Sequence, residues 1–160
     1  MHRKLRGVIF LLVVFSLAAW AADDPQTGTW KLNVAKSKFS PGPPPQTQSV
    51  TTKPFGNDGV TLSLDGMNAR GEKFTISYSA KYDGKEYPRM EAGAGAVAGQ
   101  TVTLQRMDAH TVERIAYLAG KKLTTERWVI SPDAKTRTTF QTGPDPQGQQ
   151  VNNVIIWEKQ

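Results

Sequence analysis

From Thr47 to the end, the chain alternates apolar and polar residues in short runs, with turn-forming residues about every ten positions. Thr47 to Phe55 reads as extended and ends at Asn57-Asp58-Gly59, and Val60 to Leu64 alternates with period two. Lys73 to Tyr82 alternates again and puts Phe74, Ile76, Tyr78, Ala80 and Tyr82 on one face. Asp83-Gly84 then predicts a type I′ hairpin turn, with φ > 0 at both positions, that returns the chain through Glu86 to Met90. Thr101 to Met107, Thr111 to Leu118, Leu123 to Ile130, Thr136 to Thr142 and Val151 to Lys159 continue the series. The joints are Asp108-Ala109, Ala119-Gly120, Ser131-Pro132-Asp133 and Gly143 to Gly148. No amphipathic helix of useful length competes, so the fold class is all-β, a meander of about nine or ten antiparallel strands.

An open meander leaves two edges of unpaired N–H and C=O groups, which pairing of the first strand with the last removes. The expected architecture is therefore a single up-and-down β-barrel, with an open two-layer sandwich as the alternative. Val154-Ile155-Ile156-Trp157 is apolar on both parities, as a strand covered from both sides would be. Gly28 and Trp30, at the start of the first strand, predict a large ring packed at the closed end of that barrel beside a residue that lacks a side chain. Two biased pieces interrupt the meander. Pro41-Gly42-Pro43-Pro44-Pro45 predicts a stiff polyproline strap across one barrel end, and Ala92 to Gly99 predicts a mobile loop at the mouth. Gly93-Ala94-Gly95 only superficially suggests a phosphate cradle, because no helix follows it.

The first residues have a different pattern. Arg3, Lys4 and Arg6 precede an apolar run from Gly7 to Trp20, and Ala19-Trp20-Ala21 has the small-x-small form that signal peptidase cuts. Residues 1–21 are expected to be a signal peptide and 22–160 the barrel domain, exported to the periplasm or beyond, with no stable membrane insertion after cleavage. This changes the charge picture. Three of the 20 basic residues lie before Ala22 and no acid does, so the domain carries 17 against 14, a net +3 rather than +6. Its bases alternate with acids and threonines along strands instead of clustering, which argues against a nucleic-acid partner. The chain has no cysteine, which excludes thiol chemistry, disulfides and cysteine metal sites. His110 is the one histidine after Ala21 and reads as part of a turn; no metal site, cofactor or nucleophile elbow is implied. Nothing in the pattern specifies an oligomer.

Gly28-Thr29-Trp30 resembles the G-x-W signature of the lipocalin/calycin group. Longer blocks, Gly28 to Pro44, Ala80 to Pro88, Asp108 to Arg114 and Gly148 to Lys159, are similar to a family of exported bacterial lipocalin-like proteins, over most of the domain. The resemblance implies a small calycin-type barrel with a hydrophobic cavity, and no established activity. The T-D-Y motif of lipocalins is absent. Where they place an arginine over the tryptophan, the nearest bases here are Lys159 and, one strand earlier, Arg137.

The first function class is a barrel that binds a small apolar ligand. Tyr78 and Tyr82, on the face shared with Phe74 and Ile76, would line it together with Met90, Tyr117 and Trp128, and Met107 is a further candidate. Arg114 would meet a carboxylate head group, although apolar residues on both parities of Val112 to Leu118 leave Arg114 or Ile115 as the inward residue. The second class is a non-enzymatic structural or interaction module of the cell envelope with a filled core. The third is an enzyme, in which a two-residue Ala119-Gly120 turn would bring Glu113 and Glu126 opposite each other in the manner of glycosidase carboxylates.

Cleavage after Ala21 predicts a protein that begins Ala22-Asp23-Asp24. Intact-mass measurement on protein from the host envelope checks it, and retention of Met1 would place the segment in the membrane instead.

Overall fold

A computed structural model describes residues 24–160; the signal segment expected at 1–21 lies outside the described residues. Eleven strands form one antiparallel sheet: β1 (Gly28–Leu32), β2 (Thr47–Pro54), β3 (Gly59–Met67), β4 (Lys73–Lys81), β5 (Tyr87–Pro88), β6 (Met90–Gly93), β7 (Gln100–Arg106), β8 (Thr111–Leu118), β9 (Lys121–Ile130), β10 (Thr136–Pro144) and β11 (Gln150–Lys159). Nine of these correspond to the runs expected from alternation, and the return run expected at Glu86 to Met90 is divided into the two short strands β5 and β6. β1 pairs with β11 as well as with β2, so the first and last strands meet and the sheet is a near-closed barrel.

The remaining seam lies between β4 and β7 and is closed by one stretch of chain. β5 adds to β7 and β6 adds to β4, with only Arg89 between them. Below them an isolated bridge joins Asp83 to Gln105, and the Gly84 amide donates to the Leu104 carbonyl. The hairpin expected at Asp83-Gly84 is therefore not formed. Gly84 has φ +72°, but Asp83 does not join it at positive φ, and Asp83 pairs across to β7 rather than back onto β4. The two-residue turn with both φ positive occurs at Ala119-Gly120 (49° and 74°), between Leu118 and Lys121. The Gly84 turn carries the chain over the seam, and closure of the barrel outweighs local hairpin pairing.

One irregularity sets the interior. Tyr117 pairs with Lys122, but Ile115 pairs with Thr125, so β9 holds one extra residue at Leu123-Thr124, and both of these are buried. Such a bulge flips side-chain parity along the rest of the strand. Beyond it Glu126 opposes Arg114 and Glu113 opposes Arg127, so Glu113 and Glu126 do not face one another.

One end of the barrel is filled. Trp30 is fully buried, and its indole N–H donates to the Gln26 carbonyl at 3.3 Å. The Gln26 amide in turn donates to the His110 carbonyl, and Asp24 accepts from Tyr82 Oη and Arg106 Nη2. Gly28 sits at φ +127°, where a Cβ would come within 2.7 Å of Lys159 Cε. Its bare backbone thus admits a lysine side chain, whose Nζ lies 5.2 Å from the centre of the Trp30 ring. The opposite end is the mouth. After β1 the chain makes a 3-10 turn at Val34–Lys36 and then pairs with β11 at Lys38, half-burying the outward Val154 and Ile156. The proline-rich segment bends at residues 40–42 rather than running straight, and is tied down by hydrogen bonds between Ser40 and β11.

Removing the Trp30 ring opens a large void at the closed end, so Trp30→Ala is expected to cost about 3 to 5 kcal/mol in chemical denaturation. A variant that unfolds like the parent would contradict closure around this ring.

Candidate functional site

Above the packed end the barrel encloses a cavity of about 320 Å³ that reaches the mouth between Phe39, Gly95 and the Asp145-Pro146 turn. Its two sides differ. The wall from β2 to β4, with Phe39, is mostly apolar: Val50, Leu62, Leu64 and Ile76. The wall from β7 to β11 is mostly polar, with Arg114, Thr124, Glu126, Arg137, Thr139, Gln141 and Asn153.

The polar wall follows from the parity of three strands. On β8, Val112, Arg114 and Ala116 are the buried residues, so Arg114 rather than Ile115 faces inward. On β9 the bulge turns Glu126 and Trp128 inward beside it. On β10 the usual pattern is inverted, with Arg137 and Thr139 buried and Phe140 46% exposed. Glu126 accepts from Arg114 Nε (3.0 Å) and Nη2 (2.6 Å), from the Trp128 indole N–H (2.8 Å) and from Gln141 Nε2 (2.9 Å). Asn153 Nδ2 donates to Gln141 Oε1 at 2.7 Å, and the Ser40 amide donates to Asn153 Oδ1 at 2.8 Å, which ties the network to the strap. Burial works to raise the Glu126 pKa, but the Arg114 charge and the donated hydrogen bonds outweigh it and hold the carboxyl below its usual range. The seam adds a second buried pair, Arg89 with Glu91; the Glu91 carboxylate also accepts from the Val97 amide.

Arg137 differs from both. Its guanidinium lies 5.3 Å from the Trp30 ring, 5.2 Å from Trp128 and 5.3 Å from Trp157, and makes no salt bridge among the described residues. A desolvated cation over an aromatic face gains about 2 kcal/mol, so three such faces offset part of the several kcal/mol that burying the charge costs. The compensation is incomplete: burial lowers its pKa to about 10, which still leaves it charged at neutral pH. Nε and Nη1 of Arg137 have no hydrogen-bond partner among the described residues, nor do Arg89 Nε, Tyr78 Oη and Gln100 Oε1. All four of these residues line the cavity. Burial raises the Tyr78 phenol to about 12, so it is a neutral hydroxyl, enclosed behind the cavity wall.

Of the residues expected to line a ligand cavity, Tyr78, Arg114 and Trp128 do so together. Tyr82 shares the inward face but is spent at the closed end, on Asp24 and beneath the Arg106 guanidinium at 4.1 Å. Met90 is 71% exposed, because its neighbours Arg89 and Glu91 point inward and Met90, on the opposite parity, points outward. Met107 is exposed beyond the end of β7. Tyr117 falls on the outward parity of β8 and is only half-buried. Arg114 is inside, but its donors are engaged by Glu126. Arg89, Glu91, Gln100, Gln141 and Asn153 are absent from the residues expected at the site; a strand such as Thr136 to Thr142, which has Phe140 as its one apolar residue, is the pattern that points to a polar interior. No protein-family model, curated protein or solved structure matches the chain.

A buried pair broken on one side leaves an uncompensated charge. Glu126→Leu and Arg114→Met should therefore each destabilise by about 3 to 5 kcal/mol, and the double variant by less than either. Because the Glu126 carboxyl is held low, its contribution is present above about pH 4.5 and is lost as the pH falls through its lowered value. Urea unfolding of the three variants at neutral pH, and of the parent across the acid range, measures both. Additive losses would mean that the pair is not coupled.

Proposed function

We propose that the protein is an exported, lipocalin-like barrel that binds a small, largely apolar molecule in its interior. The observation that carries this reading is the cavity of about 320 Å³, open at one end and flanked by Phe39, Leu62, Leu64 and Ile76. Ligand sites begin at about this size and combine apolar walls with a few placed polar groups. A space of this size suits a molecule of medium size rather than a long-chain lipid. The G-x-W start, Gly28-Thr29-Trp30, lies at the closed end with Arg137 and Lys159 against its ring, in keeping with the calycin resemblance. The charged sequence followed by an apolar run before Ala22 supports export. The function is one of holding or carrying a molecule rather than transforming it.

A neutral apolar fluorophore, N-phenyl-1-naphthylamine, should bind in the low micromolar range and quench Trp128 and Trp157, which line the cavity. Tyr78→Ala should change its affinity several-fold as ring area is lost from the wall. Absence of binding at high micromolar concentration would favour the alternative of an envelope interaction module.

A further inference from the structure

The cavity wall carries an imbalance of both charge and hydrogen bonding. Its buried ionised groups are Arg89, Arg114 and Arg137 against Glu91 and Glu126, one positive charge in excess. Asp145 also borders the space, but at the rim, where its Oδ1 accepts from the Gln147 and Gln149 amides of its own turn. The unpartnered polar atoms lean the same way. Tyr78 Oη, Arg89 Nε, Arg137 Nε and Arg137 Nη1 are donors, and Gln100 Oε1 is the one acceptor among the cavity's unpaired atoms. Buried donors without partners are costly, and a group that supplies several acceptor lone pairs and a negative charge would answer both deficits. A hydroxyl or amide would answer only one donor or two and leave the charge.

Resting on the reading of the barrel as a binding protein, we propose that its ligand class is a carboxylate-bearing amphiphile of medium chain length. The tail lies along the apolar wall of Leu62, Leu64 and Ile76, and the carboxylate is drawn by the excess positive charge toward Arg137, Arg89 and Tyr78, whose unpaired donors lie just beneath the cavity surface and turn to meet it. Tyr78 is the pivot. It stands on β4 between Ile76 and the packed end, on the apolar side, yet feels the charges of Arg89, Arg114 and Arg137. Arg114 is not the carboxylate's partner, because Glu126 already occupies its Nε and Nη2. A positive ligand is disfavoured by the same excess charge.

The test is competition against N-phenyl-1-naphthylamine by octanoate, octanol and octylamine at neutral pH. Octanoate is expected to displace the probe at roughly tenfold lower concentration than octanol, as an ionised acceptor gains over a neutral one. Octylamine is expected to be the weakest. Arg137→Met and Arg89→Gln should remove most of the octanoate preference and leave octanol unchanged. Should Arg137→Met fail to fold, Tyr78→Phe, which keeps the ring and deletes the hydroxyl, is expected to lower octanoate affinity several-fold with octanol again unchanged. If the probe binds but octanoate and octanol compete equally, the carboxylate assignment is overturned and the binding reading stands. If the probe does not bind and none of the three alkyl compounds quenches the tryptophans, both fail.

Discussion

The interior of this barrel is organised around one charge. Arg137 stands among Trp30, Trp128 and Trp157, each ring centre a little over 5 Å away, with no carboxylate against it among the described residues. Trp128 and Trp157 come from β9 and β11, the strands on either side of β10, whereas Trp30 comes from β1, at the far end of the chain, which arrives only when the first strand pairs with β11. Closure of the barrel therefore completes the solvation of the guanidinium. In place of an anion the cation has three aromatic faces, and the third is present only in the closed barrel. With the packed end consolidated in this way, the rest of the interior is left as a space that the side chains do not fill.

What lines that space is decided by two local irregularities. The extra residue at Leu123-Thr124 turns Glu126 inward against Arg114; in unbroken register Glu126 would have opposed Glu113. The divided segment at the seam, with β5 on β7 and β6 on β4, leaves Arg89 and Glu91 pointing inward with side chains 10% and 8% exposed. A buried ion pair is a poor source of stability compared with an apolar core of the same volume. Two such pairs together with an unpaired arginine are better understood as features of a site than as features of a core.

Much of the fold was legible in the chain. Period-two alternation and turn residues locate nine strands, most within a residue or two and β3 three residues short at its end, and the doubly apolar Val154 to Trp157 points to closure through the last strand. The seam was not legible, because Asp83-Gly84 is a strong local hairpin signal and only the need to bridge β4 and β7 overrides it. The site was half legible. Tyr78, Arg114 and Trp128 were found from face-sharing and chemistry. Met90 misled because its hydrophobicity suggested an inward position, whereas its charged neighbours Arg89 and Glu91 are the ones inside. In unbroken register Glu126 opposes Glu113, and no sequence rule announces the bulge that re-aims it toward Arg114. On β10 Phe140 is the one large apolar residue and hydrophobicity assigns it to the inside, whereas the polar Arg137 and Thr139 occupy the inward parity.

The central claim is that a charged arginine without a carboxylate partner forms the floor of an open cavity. Nuclear magnetic resonance of the arginine Nε–H groups tests it most directly. The account predicts one resonance, assigned to Arg137 by its loss in Arg137→Lys, displaced by the ring currents of the surrounding indoles and protected from exchange with bulk water. It also predicts that this resonance alone among the arginine signals shows contacts to three tryptophan rings. An Arg137 signal at an ordinary position, exchanging as fast as those of surface arginines, would contradict the account.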